Sequence, residues 1–144
     1  LPVTSPDPIR VRGWALGLDY ALRGGYNIGG NWSVNELVGF QPNAAVDFAG
    51  FNTPKNRYNV SFGKRITAST AWGFNVNFRH QDQFTWEAGF VQASETGVPL
   101  FTNTIVPANN IVDAQVSFKL PAFKSILKVG GTNIFNTPYI QAFG

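Results

Sequence analysis

His80 and Asp82 are the first residues to test for chemistry, because an imidazole beside a carboxylate can act in acid–base catalysis or bind a metal. His80 is the only histidine of the chain, and the sequence contains no cysteine. No serine has an evident base, and the carboxylates are not clustered, so the sequence supports neither nucleophilic catalysis nor a metal site. We expect a protein that is not an enzyme and needs no cofactor, with His80 in a polar role near the rim of the fold.

Aromatic side chains are the second informative set, because they gather in two stretches that we expect to be loops. The first loop contains Phe48, and the second contains Phe84, Trp86, Phe90 and Phe101. A loop surrounded by water has little reason to carry so many apolar rings. These rings either pack together as a small loop core or contact a substrate or a partner protein, for which Trp86 is our first choice.

Large apolar residues alternate with small or polar residues in the rest of the chain. Between Arg12 and Leu22, every second residue from Trp14 onward is large and apolar, and each intervening residue is Gly, Ala or Asp. A helix cannot place every second residue on one side, so this period predicts strands. The pattern occurs in residues 12–22, 28–35, 58–63, 72–79, 112–120 and 126–135.

The connections between these predicted strands differ in length. Three of them are short: Arg23 to Asn27, Lys64 to Ser69 and Pro121 to Ser125. The two aromatic-rich connections, Glu36 to Asn56 and Phe84 to Asn110, are much longer. Short turns at one end and long loops at the other are typical of an outer-membrane β-barrel.

Most charged and amide residues of the alternating segments fall on the face opposite the large apolar residues. Arg79 and Asp113 share this face at nearly matching heights on adjacent predicted strands, so we expect a cross-strand ion pair. Lys119 and Lys128 lie near the short turns, where their like charges require water or acidic partners. The other polar residues that we expect on this face, which would line a lumen, are Asn75, Asn77, Gln115 and Ser117.

Strands with one apolar face fit either a soluble sandwich or a membrane barrel. The chain is 15% aromatic and 13% charged, against roughly 25% charged residues in soluble domains. We therefore predict an all-β fold, a segment of a transmembrane antiparallel β-barrel with about six strands, which would face lipid through Leu16, Leu18, Phe74, Val76, Val116 and Val129. Interfacial aromatic residues are expected near the short turns (Tyr20, Trp72, Phe118) and near the long loops (Trp14, Phe78, Phe135).

Six strands are too few to close a membrane barrel, for which about eight are needed. Open edges facing lipid would leave backbone groups unpaired, at several kcal/mol each. We therefore expect the chain either to be a segment of a larger barrel wall or to assemble with other chains to complete one. The net charge of +3 is small and scattered, so nucleic-acid binding is not expected.

The C-terminal third also resembles a known family. The segment IVDAQVSFKLPAFKSILKVGGTNIFN (111–136) resembles the late hairpin of TonB-dependent outer-membrane receptors, particularly the starch-utilisation branch of the Bacteroidota. In the same branch, LKVGGTNIFNTPYIQAFG (127–144) is similar to the penultimate strand and its loop, and FNTPKNRYNVSFG (51–63) to an earlier loop-to-strand return.

This resemblance implies a 22-stranded barrel with an N-terminal plug in the outer membrane of a Gram-negative cell. It implies active import of a nutrient, such as a glycan, peptide or metal chelate, powered by the TonB–ExbB–ExbD system. Residues 1–144 would be a C-terminal part of the barrel, without the plug, the earlier strands and the closing strand. The implied partners are the rest of the barrel, the plug, membrane lipid and a surface lipoprotein lid, with plug carboxylates expected to contact Lys119 and Lys128.

Two other functions remain open from the sequence. One is a passive porin-type channel, which would differ from the receptor by lacking a plug upstream of the barrel. The other is a soluble β-sandwich that binds carbohydrate through Trp86 and its aromatic neighbours. A soluble sandwich would be purified without detergent, whereas an exposed lipid-facing stripe predicts aggregation in water.

Overall fold

The computed structural model describes residues 10–39, 51–93 and 99–139, and for residues 88–93 and 99–103 it describes the backbone alone. Two short 3₁₀ turns, Arg23–Gly25 and Pro121–Phe123, are the only helical elements in these ranges. Nothing helical in these ranges has the length and apolarity needed to cross a membrane. The strands of the described residues are β1 (Arg10–Ala21), β2 (Tyr26–Val38), β3 (Asn56–Lys64), β4 (Trp72–Gln81), β5 (Phe84–Ala93), β6 (Pro99–Val106), β7 (Asn109–Leu120) and β8 (Ser125–Gly131).

The strands form one large antiparallel sheet and one hairpin. The large sheet has six strands in the order β1-β2-β3-β4-β7-β8, so each strand pairs with its neighbour in sequence except where β5 and β6 intervene. The hairpin of β5 and β6 forms a separate two-stranded sheet. The all-β, antiparallel part of the predicted fold is therefore confirmed.

The pairing register confirms that the predicted alternation produces two distinct faces. Leu16 lies opposite Trp32, and Trp32 lies opposite Tyr58. Because successive side chains of a strand point to opposite faces, these pairs place the large apolar residues of all six strands on one side. We call this side the apolar face. The opposite side, which we call the polar face, carries residues such as Asn31, Asn59, Asn77 and Asp113.

The short turns all lie at one end of the sheet, and their backbone conformations explain their sequences. Gly24 and Gly25 have positive φ angles of 73° and 84°, which glycine adopts without steric cost. The adjacent turn is joined to them by a hydrogen bond of 2.9 Å from Arg65 N to Gly25 O. The third turn begins at Pro121 and ends at Lys124, which has a left-handed φ of 48°.

Two details differ from the sequence-based prediction. The segment Phe84 to Asn110, predicted to be a loop, contains the hairpin of β5 and β6. The last strand ends at Gly131 and not at Phe135, because Asn133 and Asn136 adopt positive φ angles of 49° and 50° that end the extended conformation. Phe135 therefore lies beyond the strand, in the segment that follows it, and is 73% exposed, while its predicted place at a membrane interface stays a prediction.

Little of the described chain is enclosed. The buried apolar side chains of the described part are Val34, Pro54, Val106 and Ile111, whereas Leu18 on the apolar face is 72% exposed. Fully burying one such side chain stabilises a protein by about 1.5–3 kcal/mol, so a water-soluble fold would be expected to cover this face. In the described residues no second sheet packs over it.

Candidate functional site

The apolar face carries an aromatic row at the end of the sheet where the long connections lie. Trp14 and Trp32 pack edge to face with ring centroids 4.4 Å apart, and Trp32 stacks on Tyr58 at 5.8 Å. Tyr58 in turn contacts the ring of His80 at 5.6 Å. We call these four residues the loop-end aromatic row. The row crosses β1, β2, β3 and β4, one residue on each strand. Trp14 is diagonal to Trp32, Trp32 lies opposite Tyr58, and Tyr58 lies opposite His80.

A second aromatic group lies on the same face near the short turns. Tyr26 stacks on Phe62 at 6.1 Å, Phe62 packs against Phe74 at 5.5 Å, and Phe74 stacks on Trp72 at 6.1 Å. We call these four residues the turn-end aromatic group. Aromatic side chains in two separate bands, with aliphatic residues such as Val60 between them, are typical of a sheet that crosses a membrane.

Lys64 is embedded in the turn-end aromatic group, although it belongs to the apolar face. Its Nζ lies 4.8 Å from the centre of the Trp72 ring and 5.8 Å from that of Tyr26, and the residue is only 8% exposed. The ammonium also lies 3.4 Å from the carbonyl oxygen of Trp72. Contact with two aromatic faces and a carbonyl offsets the cost of removing this charge from water.

His80 and Asp82 belong to a hydrogen-bond network that joins the loop ends of β3, β4 and β7. His80 Nδ1 lies 2.7 Å from Asn110 Oδ1, and His80 Nε2 lies 3.2 Å from Asp82 Oδ1. Asn56 Nδ2 donates to Asp82 Oδ2 at 2.6 Å, and Trp32 Nε1 donates to Asn56 Oδ1 at 3.1 Å. The network contains no nucleophile and connects strand ends, which is the polar role at the rim that the sequence predicted.

The carboxyl group of Asp82 accepts hydrogen bonds from two members of this network. The hydrogen bond from the Asn56 side chain lowers the pKa of Asp82 below its ordinary value of 3.8, and the contact with His80 acts in the same direction. Partial burial of the carboxyl opposes these effects. The ionised form of Asp82 is therefore the form that the folded loop end favours.

The polar face contains the ion pair that the sequence predicted. Arg79 Nη2 lies 3.0 Å from Asp113 Oδ2, and Arg79 Nε donates to the same oxygen at 3.1 Å. The other carboxylate oxygen of Asp113 accepts a hydrogen bond of 2.9 Å from the backbone N–H of Asn133. Asp113 therefore joins β4, β7 and the turn that follows β8. The sequence predicted the contact with Arg79 but not the one with Asn133.

Amide groups cross the same face as a short ladder. Asn31 and Asn59 lie directly opposite each other, and Asn59 Nδ2 donates to Asn31 Oδ1 at 2.9 Å. Asn75 lies opposite Gln115 on the polar face, as expected. Lys119 lies opposite Ile126, and Lys128 lies opposite Ser117, so the two lysines are diagonal neighbours on that face. Their contact with a plug domain stays a prediction.

A pocket of about 410 Å³ opens on the polar face at the loop end. Its floor includes Arg57 and Arg79, and its walls come from separate segments of the chain: Asn52 precedes β3, Phe84 begins β5, and Tyr139 follows β8. The Asn52 side chain is fixed by two hydrogen bonds, 2.7 Å from the Glu87 N–H and 3.1 Å to the Glu87 carbonyl. This pocket is the candidate binding site of the described chain, because charged, amide and aromatic side chains converge there.

The predicted aromatic contact residues are only partly brought to this pocket. Phe84 lines it, whereas Trp86, two residues further along β5, is half-buried and does not. Phe90 and Phe101 lie on the hairpin, but their side chains fall outside the described residues, as does the whole of Phe48. Of the five predicted contact residues, Phe84 is therefore the one that the described structure places in the pocket.

The predicted interfacial residues are distributed along the apolar face as follows. Trp72 lies opposite Phe118 near the short turns, and Tyr20 lies opposite Ile28 at the same end. Trp14 belongs to the loop-end aromatic row, but Phe78 lies opposite Val60 and Val112, one pair below His80 and therefore nearer the middle of the face.

Several residues of these sites were missed in the sequence. The parity of β3 places Arg57 on the polar face with Asn59, so alternation alone could have identified it. Tyr26, Tyr58 and Lys64 likewise follow the period of their strands. No local pattern indicates that Tyr139, far along the chain, closes the pocket beside Arg57.

Neither a metal centre nor a known relative helps to interpret these sites. Within the described residues, no group of three or more His, Cys, Asp or Glu side chains could hold a metal ion. Comparison with family models, with curated proteins and with solved structures found no match for this chain.

Proposed function

We propose that this sheet is part of the wall of an outer-membrane β-barrel that imports a nutrient actively, with energy supplied through TonB. One observation carries the membrane part of the proposal: the apolar face is exposed across six strands and has aromatic residues at both ends. Such a face is stable where the surrounding solvent is hydrocarbon, and its aromatic ends suit the two membrane–water interfaces.

The height of the apolar face supports this assignment. On β1, Arg12 is the last charge before the apolar residues of that face, and the next charge beyond them is Arg23 in the short turn. About eleven residues at about 3.3 Å each, tilted by about 45°, span about 25 Å, which is the height of the apolar band of an outer-membrane barrel. Arg12 lies 2.7 Å from Glu36 and so is paired where the band ends.

The edges of the sheet support a larger closed wall. Among the described strands, β1 and β8 each pair on one side only. In lipid, each backbone N–H or C=O group without a hydrogen-bond partner costs several kcal/mol. A stable wall therefore requires further strands at both edges of the sheet. We assign these strands to the rest of the same barrel, whose lumen the polar face would line.

Active import, as opposed to passive diffusion, is supported by two features of the chain. The first is the resemblance of residues 111–144 to the late strands of TonB-dependent receptors. The second is the pocket at the loop end of the polar face. Charged and aromatic side chains line this pocket, so a specific ligand could bind there. In this proposal the plug, the TonB–ExbB–ExbD system and a surface lipoprotein lid are the partners, and no cofactor or chemical step is involved.

The proposal is tested by fractionating cells that produce the full-length polypeptide containing this chain. We expect the protein in the outer-membrane fraction and in solution only with detergent. Reconstituted in a planar bilayer, a plugged transporter should give no steady conductance, and it should bind the purified periplasmic domain of TonB. Steady conductance without TonB binding would establish the porin alternative. Recovery as a monodisperse protein without detergent would overturn the membrane assignment itself.

A further inference from the structure

We propose that the pocket at the loop end of the polar face binds an acidic saccharide, with Arg57 holding its carboxylate or sulfate group. This inference rests on the proposed function, because it names the class of ligand that the barrel would admit. It is carried by the charge, the hydrogen-bonding capacity and the backbone environment of the pocket.

The charge of the pocket is the first argument. Arg79 is neutralised by Asp113, with 3.0 Å between Nη2 and Oδ2. Among the described residues, no ion pair and no side-chain hydrogen bond involves Arg57. Arg57 lies opposite Gln81 and diagonal to Arg79, at a typical separation of about 7–8 Å, so both guanidinium groups face the same space. The pocket therefore has an uncompensated planar cation, which suits a carboxylate or a sulfate.

The neutral walls of the pocket suit a sugar ring. Gln81 and Asn109 contribute amides, each with a donor and an acceptor, which can match the hydroxyl groups of a saccharide. Phe84 and Tyr139 contribute ring surfaces on which the apolar C–H face of a sugar can lie. A small inorganic anion would use the cation and leave these amides and rings without a partner.

The backbone environment argues against a peptide as the occupant. Arg57, Arg79 and Gln81 lie on β3 and β4, and each of them is paired on both sides within the sheet. The ladder between β7 and β8 begins at Ala114, so Asn109 and Ile111 pair with β4 alone among the described strands. Beneath the two arginines, therefore, no strand edge is free for an extended peptide to join by main-chain hydrogen bonds, and a ligand bound there is recognised by side chains, as sugars are.

The test measures binding of defined probes to the full-length polypeptide in detergent, by titration calorimetry at low salt. The probes are a galacturonate trisaccharide, a sulfated galactose trisaccharide, the neutral galactose trisaccharide and a triglutamate peptide. We expect at least one acidic saccharide to bind, and the neutral sugar to bind at least tenfold more weakly. Arg57→Gln should weaken the acidic saccharide by roughly ten- to a hundredfold, because it removes a charge-assisted hydrogen bond. Tyr139→Ala should weaken both the acidic and the neutral sugar.

Arg23→Gln is the matched control, because Arg23 lies in a short turn at the opposite end of the sheet and should not change binding. Failure of both acidic saccharides to bind, or equal affinity for Arg57→Gln and the unmodified protein, would overturn the inference. Triglutamate binding as tightly as the best saccharide would replace the saccharide by an acidic peptide. If Arg57-dependent binding is found in a protein that needs no detergent, the pocket inference stands and only the membrane proposal fails.

Discussion

The two faces of this sheet are built from the same strands but leave different groups uncovered. On the apolar face Leu18 is 72% exposed and Trp14 is 48% exposed, although both are large and apolar. On the polar face, glycines at 29, 63 and 73 are buried, and the charges of Arg79 and Asp113 are paired. A sheet in water covers its large apolar residues, so the exposure of the apolar face sets this sheet apart.

The difference indicates which surroundings each face requires. The apolar face suits an apolar environment, which solvates leucine and phenylalanine side chains favourably. The polar face suits water and neighbouring polar groups. The ends of the two faces differ as well, because the apolar face ends in aromatic rings and the polar face ends in a pocket at its loop end. Substitutions that alter one face or one end at a time test these differences, and each is measured on the full-length polypeptide.

The largest effect is expected from a charge introduced in the middle of the apolar face. Val76→Arg should destabilise the protein in lipid vesicles by roughly 2–4 kcal/mol, because an arginine near the bilayer midplane loses its hydration. Asn75→Arg, one residue away on the polar face, is the control and should be tolerated. Urea unfolding in vesicles measures both variants, and equal destabilisation would show that the two faces do not differ in their surroundings.

A smaller effect is expected where the apolar face reaches the short turns. Lys64→Met keeps most of the apolar stem but removes the ammonium that lies 4.8 Å from the Trp72 ring. We expect a loss of roughly 0.5–2 kcal/mol from the free energy of unfolding, the range of cation–π contacts. Lys124→Met, in an exposed turn, should change stability little. If Lys64→Met raises the free energy of unfolding instead, the cost of placing the ammonium in apolar surroundings exceeds its attraction to the aromatic rings.

The ion pair of the polar face should contribute less. A double-mutant cycle with Arg79→Gln and Asp113→Asn should give a coupling energy of roughly 0.2–1 kcal/mol, since the arginine side chain is 46% exposed. The coupling should decrease at high salt because solvent reaches the pair. A coupling several times larger and independent of salt would mean that the polar face is dry, as it would be if a tightly packed domain fills the lumen.

The smallest effect concerns pH at the loop end. The pKa of Asp82 is lowered in the folded protein from 3.8, chiefly by the hydrogen bond from Asn56. Its stabilisation is therefore complete above the unfolded pKa and is lost as the pH falls through the lowered folded pKa. We expect a decrease of a few tenths of a kcal/mol, about the lower end for exposed pairs, in unfolding experiments from about pH 6 to about pH 2. Asp82→Asn should lack this dependence; an unchanged profile in the variant would assign the effect to another carboxyl.

Much of the sheet could be predicted from the sequence because the side chains of a β-strand alternate between its two faces every two residues. The period placed Leu16, Asn75 and Asp113 on their correct faces and identified the partner of Arg79. The hairpin of β5 and β6 was missed because its aromatic residues were interpreted as loop residues, although Phe84-Thr85-Trp86-Glu87 alternates as a strand does. A bulge between Glu87 and Val91 interrupts that alternation, which weakens the signal.

The binding pocket could be predicted only in part. Arg57 and Arg79 follow from the parity of their strands, but the pocket also requires Asn52 and Tyr139 to meet them. Asn52 is held by its hydrogen bonds to the Glu87 backbone. The segment that leads to Tyr139 is held by two hydrogen bonds between Asn133 and Thr137, each with an N···O distance of 2.9 Å. Such contacts depend on three-dimensional closure of connections, and no periodicity encodes them.

The central claim is that the apolar face contacts lipid and the polar face does not, and spin-label accessibility tests it most directly. The chain contains no cysteine, so single cysteines can be introduced and labelled at Val60, Phe62 and Val76 and, as controls, at Ser61 and Asn75. In lipid vesicles we expect high accessibility to oxygen, which concentrates in hydrocarbon, at the first three positions. At the two control positions we expect lower oxygen accessibility and greater accessibility to a water-soluble nickel complex. Equal access of the nickel complex to Val60 and Ser61 would contradict the account.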